Sequence, residues 1–282
     1  MTAAPLSALA DASVPYYERS FVVAVDQKCR LFVPKLGSAL SASAWQARGA
    51  AARAGVSDQA LAETAERASA QAARTDCANP DLKIVQQRAA SAFSGWSRLA
   101  RMTFPGERAA WSANRSDFSS PTWRLMQASA TGASPVNFGF VEGGDQPSVL
   151  TAVVSFVGKS RPYAARIVMR DAARAPWAWL KGRDPQTAGL PGGEGADLPP
   201  DTWRQTFMAT GSDVAGLALL GSGQDQGQAW AFPTDAADAL ANLDPREPFL
   251  VEFLFRDDSV ARARFEAGDF AAGRAFIAMG SL

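Results

Sequence analysis

The sequence predicts an α+β protein, in which a four-helix region precedes a duplicated, sandwich-like antiparallel β domain with a short inserted helix and a C-terminal helix. Two observations carry this. Between Pro15 and Met102 apolar residues recur every three or four positions, the period of a helix with one buried face, whereas beyond Pro121 they alternate as in half-buried strands. In addition, Thr122-Trp123-Arg124 with Ala130-Thr131-Gly132 behind it returns as Thr202-Trp203-Arg204 with Ala209-Thr210-Gly211. The stretch from Arg170-Asp171 to Gly182 likewise aligns without a gap on Arg256-Asp257 to Gly268. The expected division is a flexible N-terminus at 1–14, a helical domain at 15–112 and a β domain at 113–282. Within the last, repeat one covers 118–182, repeat two 200–268 and a closing helix 270–279.

The elements follow in order. Tyr17, Phe21, Val22, Val25, Leu31 and Phe32 approximate one helical face that stops near Pro34. An Ala-rich second helix covers 35–54 and ends at Gly55, after which Ser57 caps a third through Leu61, Ala65, Ala68 and Ala72 to Cys77. Asn79-Pro80 restarts a fourth helix, whose stripe of Val85, Ala89, Phe93, Trp96 and Leu99 steps by three and four. A core role is the simpler account of its Phe93 and Trp96 than a ligand shelf. A linker at 104–121 leads to strands at 123–127, 136–141, 149–157, 164–169 and 175–179, then at 203–208, 214–220, 228–232, 249–255 and 260–265. Helix 234–243 is inserted before the last two and ends at Asp244-Pro245. The Gly- and Pro-rich stretch 182–201, with only Leu190 and Leu198 as apolar anchors, reads as a mobile linker between the copies.

Composition excludes more function than it suggests. Lys plus Arg equals Asp plus Glu at 28 each, so no overall field draws the chain to nucleic acid or an anionic membrane. Histidine is absent, which rules out a Ser-His-Asp triad, a Cys-His pair and a His-ligated metal within this chain. No apolar run is long enough for a transmembrane helix. The two cysteines, Cys29 and Cys77, are two ligands short of a zinc site and lack an imidazole base for thiol catalysis. Each sits near a helix end, and the expectation is one disulfide, stabilising by about 4 kcal/mol in the loop-entropy model and pointing to an oxidising compartment. The Ala-rich opening, with no positive n-region, reads as a mature N-terminus exposed by signal removal.

No phosphate loop, dinucleotide fingerprint or nucleophile elbow is present, and Gly221-Ser222-Gly223 reads as a turn between strands. Glu142, Asp145, Asp171, Asp225 and Asp257 fall at strand ends where two could meet at a glycosidase spacing, but Asp at a turn has its own backbone reason to be there. No catalytic residue, metal or cofactor is therefore assigned. Trp177 and Trp179 alternate on one expected strand and would together form a stacking platform for sugar rings or for a partner's apolar surface.

The Tyr-Tyr-Glu-Arg segment at Tyr16 to Arg19 and the Gly-Asp-Phe-Ala-Ala-Gly-Arg-Ala-Phe segment at Gly268 to Phe276 resemble those of uncharacterised bacterial secreted or periplasmic envelope proteins. The resemblance implies location and no activity. The expected function is a non-enzymatic envelope protein that binds another protein or a glycan. The alternatives are a carboxylate-dependent polysaccharide hydrolase and a structural or assembly protein without a ligand.

Overall fold

A computed structural model describes residues 6–143, 146–156, 160–180, 198–221 and 223–282. The architecture is α+β: N-terminal helices, two antiparallel sheets, and a C-terminal helix. Helices α1 (Leu6–Cys29), α2 (Pro34–Arg53), α3 (Asp58–Arg74) and α4 (Asp81–Trp96) come first. α1 starts upstream of Pro15 and carries that proline inside it, so the helix takes in most of the stretch expected to be flexible. Ser57 caps α3 by accepting the backbone N–H of Ala60. Gly55, at φ +101°, takes the left-handed conformation that turns the chain out of α2.

The strands are β1 (Arg101–Phe104), β2 (Trp111–Asn114), β3 (Thr122–Thr131), β4 (Ser134–Gly143), β5 (Gln146–Val154), β6 (Ala164–Arg170), β7 (Arg204–Met208), β8 (Gly211–Val214), β9 (Gln228–Ala231), β10 (Pro248–Leu254) and β11 (Val260–Glu266). α5 (Thr234–Ala241) separates β9 from β10, and α6 (Phe270–Ile277) follows β11. Seven strands pair in the order β1-β2-β3-β4-β5-β9-β8 and four in the order β11-β10-β6-β7. The two sheets face each other across one core. Phe138 of β4 lies 5.2 Å from Phe249 of β10 and 5.3 Å from Phe265 of β11, centroid to centroid. α6 adds Phe270 and Phe276, while α2 reaches the same core with Ala39 and Ala42, so helices and sandwich share one interior. At the corner between sheets, buried Gln127 donates to the Glu266 carbonyl and accepts the Glu266 N–H, which makes a side chain complete the pairing of β3 with β11.

Several expectations from the sequence are corrected. β1 and β2 lie where helix and linker were expected, because four-residue strands are too short to show a period. The segment 175–180 is irregular and forms no strand: Pro176 has no N–H to give a ladder, and side chains hold the backbone around it instead. Within 214–220 the chain leaves β8 at Val214 and makes a 3-10 turn at Leu217–Leu219. The two Thr-Trp-Arg triplets occupy unlike positions. Trp123 lies in β3, inside the seven-stranded sheet, whereas Trp203 ends a 3-10 turn (Asp201–Trp203) before β7, an edge of the four-stranded sheet. Their recurrence does not mark superimposable strands. The expected mobile linker falls mostly on 182–197, outside the described residues, but Leu198 at its end is buried against Val168 and Leu250.

Gly139 faces the point where the β3–β4 register shifts between Trp123 and Leu125. Its φ is +154°, and a Cβ there would lie 1.9 Å from the Leu125 carbonyl oxygen. Since backbone cannot swing aside as a side-chain tip can, Gly139→Ala is expected to destabilise by about 1–3 kcal/mol in urea unfolding. Gly132→Ala, with open space around it at φ +57°, should lose only about 1 kcal/mol. Equal losses would place the strain elsewhere than in the bulge.

Candidate functional site

The helices and the sandwich enclose a cleft of about 710 Å3. From the helical side it receives Arg48 on α2 and, across the α2–α3 turn, Ser57, Asp58 and Gln59 at the start of α3. The sandwich side contributes Arg170 at the end of β6, Pro176 and Trp177 from the irregular segment, and Asn242 and Arg246 from the α5–β10 connection.

Three ion pairs hold this arrangement. Glu247 accepts two bonds from Arg170, Nε to Oε1 at 2.6 Å and Nη2 to Oε2 at 2.7 Å, and both groups are almost fully buried. The same carboxylate accepts the backbone N–H groups of Trp179 and Asp244 at 2.8 and 2.9 Å. Arg170 also donates from Nη1 to the Ala175 carbonyl, which ties the irregular segment to β6. Asp244, fully buried, takes Nε and Nη2 of Arg246, each at 2.8 Å. Arg48 pairs with Asp58 at 3.1 Å, and the Asp58 side chain keeps a quarter of its exposure.

Asp58 lies within side-chain hydrogen-bonding reach of Asp244, a contact that can form only when one of the two carboxyls carries a proton. Burial first, and then the Asp244 charge, pushes the Asp58 carboxyl up from 3.8 to about 6, against the opposing pull of Arg48. Burial works in the same direction on Asp244, but the hydrogen bonds and charge of Arg246 outweigh it and hold that carboxyl below its ordinary range. Of the two, Asp58, the partner that faces the cleft, is therefore the one that takes up a proton as the pH falls through about 6.

Among the described residues Asp58 is the one carboxylate lining the cleft. Its partner is within hydrogen-bonding reach, closer than the roughly 5–9.5 Å that glycoside hydrolysis requires between its two carboxyl groups. The carboxylates singled out from the sequence serve elsewhere. Asp171 and Asp257 accept backbone N–H groups of Ala173 and Ser259 in tight turns, Glu142 pairs with Arg124 at 3.4 Å, Asp225 is exposed, and Asp145 lies outside the described residues. The described residues contain no group of three or more potential metal ligands.

The tryptophan pair divides. Trp179 is buried, and Trp177 is half-buried on the cleft wall. Both meet Trp203 edge-on, at 6.0 Å for Trp177 and 6.5 Å for Trp179. Only Trp177 is thus placed to touch a ligand, and the two do not form a joint platform. Cys29 and Cys77 form a disulfide with Cα atoms 5.5 Å apart, joining the end of α1 to the α3–α4 turn. Arg48, Asp58, Asn242 and Arg246 were not singled out from the sequence, because each is an ordinary surface residue type in its own segment. One signal was available: the Asp244-Pro245-Arg246-Glu247 run packs three charges beside a helix end, more than a turn there needs.

Comparison with protein-family models, curated proteins and solved structures finds no match to this chain.

Proposed function

We propose that the protein is a non-enzymatic saccharide-binding protein of the bacterial cell envelope and that its ligand lies in the cleft between helices and sandwich. The observation that carries this reading is Trp177 on the cleft wall among planar and forked polar side chains, Gln59, Asn242, Arg48 and Arg246. Sugars present flat apolar C–H faces ringed by hydroxyl groups, so a site for them combines an aromatic face with fixed donors and acceptors. Ion pairs on each wall, Arg48–Asp58 on the helical side and Arg170–Glu247 and Arg246–Asp244 on the sandwich side, hold those groups in place before a ligand arrives, which lowers the ordering entropy lost on binding. A location outside the cytoplasm is supported by the Cys29–Cys77 disulfide, and among the described residues no helix is long and apolar enough to cross a membrane. A hydrolase is disfavoured by the Asp58–Asp244 spacing.

The test is binding of envelope-type oligosaccharides to the wild type and to Trp177→Ala, followed by calorimetry. Loss of the aromatic face should weaken binding about tenfold or more, equivalent to about 1.4 kcal/mol, with an unchanged far-ultraviolet dichroism spectrum. If Trp177→Ala binds as tightly as the wild type, the cleft is not the site. If no oligosaccharide binds at all, the reading fails and a protein partner becomes the better one. Val214 and Leu217, 75% and 73% exposed beside the open edge of β8, would then be the place to look.

A further inference from the structure

We infer that the cleft selects a carboxylate-bearing saccharide, whose acid group is received by Arg48 and Arg246 while a sugar ring lies against Trp177. This rests on the saccharide-binding reading and specifies its ligand class. The argument is one of charge placement. Among the described residues three arginines line the cleft, Arg48, Arg170 and Arg246, against a single carboxyl, that of Asp58. The other two carboxylates of the network, Asp244 and Glu247, are 0% and 1% exposed and lie behind the arginines they neutralise. Arg170 is itself almost fully buried, so among the described residues the partly exposed charges a ligand meets in the cleft are those of Arg48 and Arg246 against that of Asp58, a net positive set. Asp244 occupies Nε and Nη2 of Arg246, which leaves Nη1 outside that pair, and Asp58 takes Nη2 of Arg48 alone. Arginine forks suit a planar carboxylate because two parallel N–H groups match its two oxygens.

The remaining acid is conditional. Asp58 is faced by Arg48 from α2, by Arg170 from β6, and by Asp244, Arg246 and Glu247 from the α5–β10 connection. With its carboxyl raised to about 6, it carries a charge at pH 8 and is mostly neutral at pH 5. A sugar carboxylate remains ionised across that interval. The incoming acid and the Asp58 carboxylate compete for Arg48, so lowering the pH from 8 to 5 removes the competitor and tightens binding.

The experiment uses the full chain and three probes: a galacturonic acid oligomer, its carboxyl-reduced neutral counterpart of equal length, and a disaccharide containing N-acetylmuramic acid. The first and third distinguish a ring carboxylate from a lactyl ether carboxylate. At least one should bind tenfold or more tighter than the neutral oligomer, and should weaken as salt is raised. Its affinity should rise several-fold from pH 8 to pH 5. Asp58→Asn should bind at pH 8 as the wild type does at pH 5, with the pH dependence lost. Equal binding of acidic and neutral oligomers overturns the selectivity and leaves the saccharide reading standing. Absence of binding by all three overturns both. Because the wild-type pH and salt profiles need no variant, a poorly folding Asp58→Asn would still leave a decision.

Discussion

Glu247→Ala is expected to destabilise the protein by about 3–5 kcal/mol, because it leaves the Arg170 guanidinium charged and unpaired in the interior. Glu247 is 1% exposed and holds four groups: two nitrogens of Arg170 and the backbone N–H groups of Trp179 and Asp244. Two of these, Trp179 and Asp244, belong to segments without regular structure around them. Removal of the carboxylate should therefore loosen 175–180 and the α5–β10 connection together. The double variant Arg170→Met/Glu247→Leu separates charge from anchorage. If the lone charge were the whole loss, replacing both partners by apolar side chains would restore stability. The two backbone donors would still lack an acceptor, at about 1–3 kcal/mol each, so the double variant is expected to remain below the wild type. Urea unfolding measures both. A loss under about 1 kcal/mol for Glu247→Ala would show that water replaces the carboxylate and that the network is not a dry one.

The same residues explain how far the sequence could be read. Helix α3 was legible because its signals are local: Gly55 closes the preceding helix, Ser57 caps the next, and Leu61, Ala68 and Ala72 fall on the buried stripe. The alternation of Val136, Phe138 and Phe140 likewise exposed β4, since period two is a property of a single strand facing one core. What failed was non-local. Trp177 and Trp179 alternate as strand residues do, yet the segment is held by the side chains of Arg170 just before it and of Glu247, which is distant in sequence, and neither carries a mark of that contact. The repeated Thr-Trp-Arg triplet misled for a related reason. Strand position in a sheet is fixed by pairing partners, and β3 pairs with both β2 and β4 whereas β7 pairs with β6 alone. The cleft combines both difficulties: it draws on α2, α3, β6 and the α5–β10 connection, and its chemistry arises only when Asp58 meets Asp244. No single segment contains that pair.

Replacing both Cys29 and Cys77 by Ser is expected to lower stability by about 4 kcal/mol, from the chain entropy that a bridge of sequence separation 48 removes from the unfolded state. The helical region has reason to depend on it. α2 and α3 bury mostly alanines, with Leu40 and Leu61 the larger exceptions, and small side chains withdraw little apolar area from water. The cluster next to the bridge is correspondingly small: Val25, Ala72 and Leu82, with Phe21 and Leu31 partly buried against it. Local bonds would outlast the disulfide, since Lys28 Nζ donates to the carbonyls of Ala73 at 2.8 Å and Thr75 at 2.7 Å. These are exposed and hold α1 near the end of α3 only weakly. α2 is anchored differently, by Ala39 and Ala42 in the main core and by the two-point Arg53–Asp269 pair at 2.8 and 3.1 Å. The double serine variant should therefore keep its sheets and α2 while amide exchange quickens in α1 and α3. Thiol titration of the unfolded, unreduced wild type should find no free cysteine. Two titratable thiols would refute the bridge and remove the main support for an oxidising compartment. Uniform acceleration of exchange across the whole chain would instead show that helices and sandwich unfold as one unit, with the shared core, rather than the disulfide, setting the stability of both.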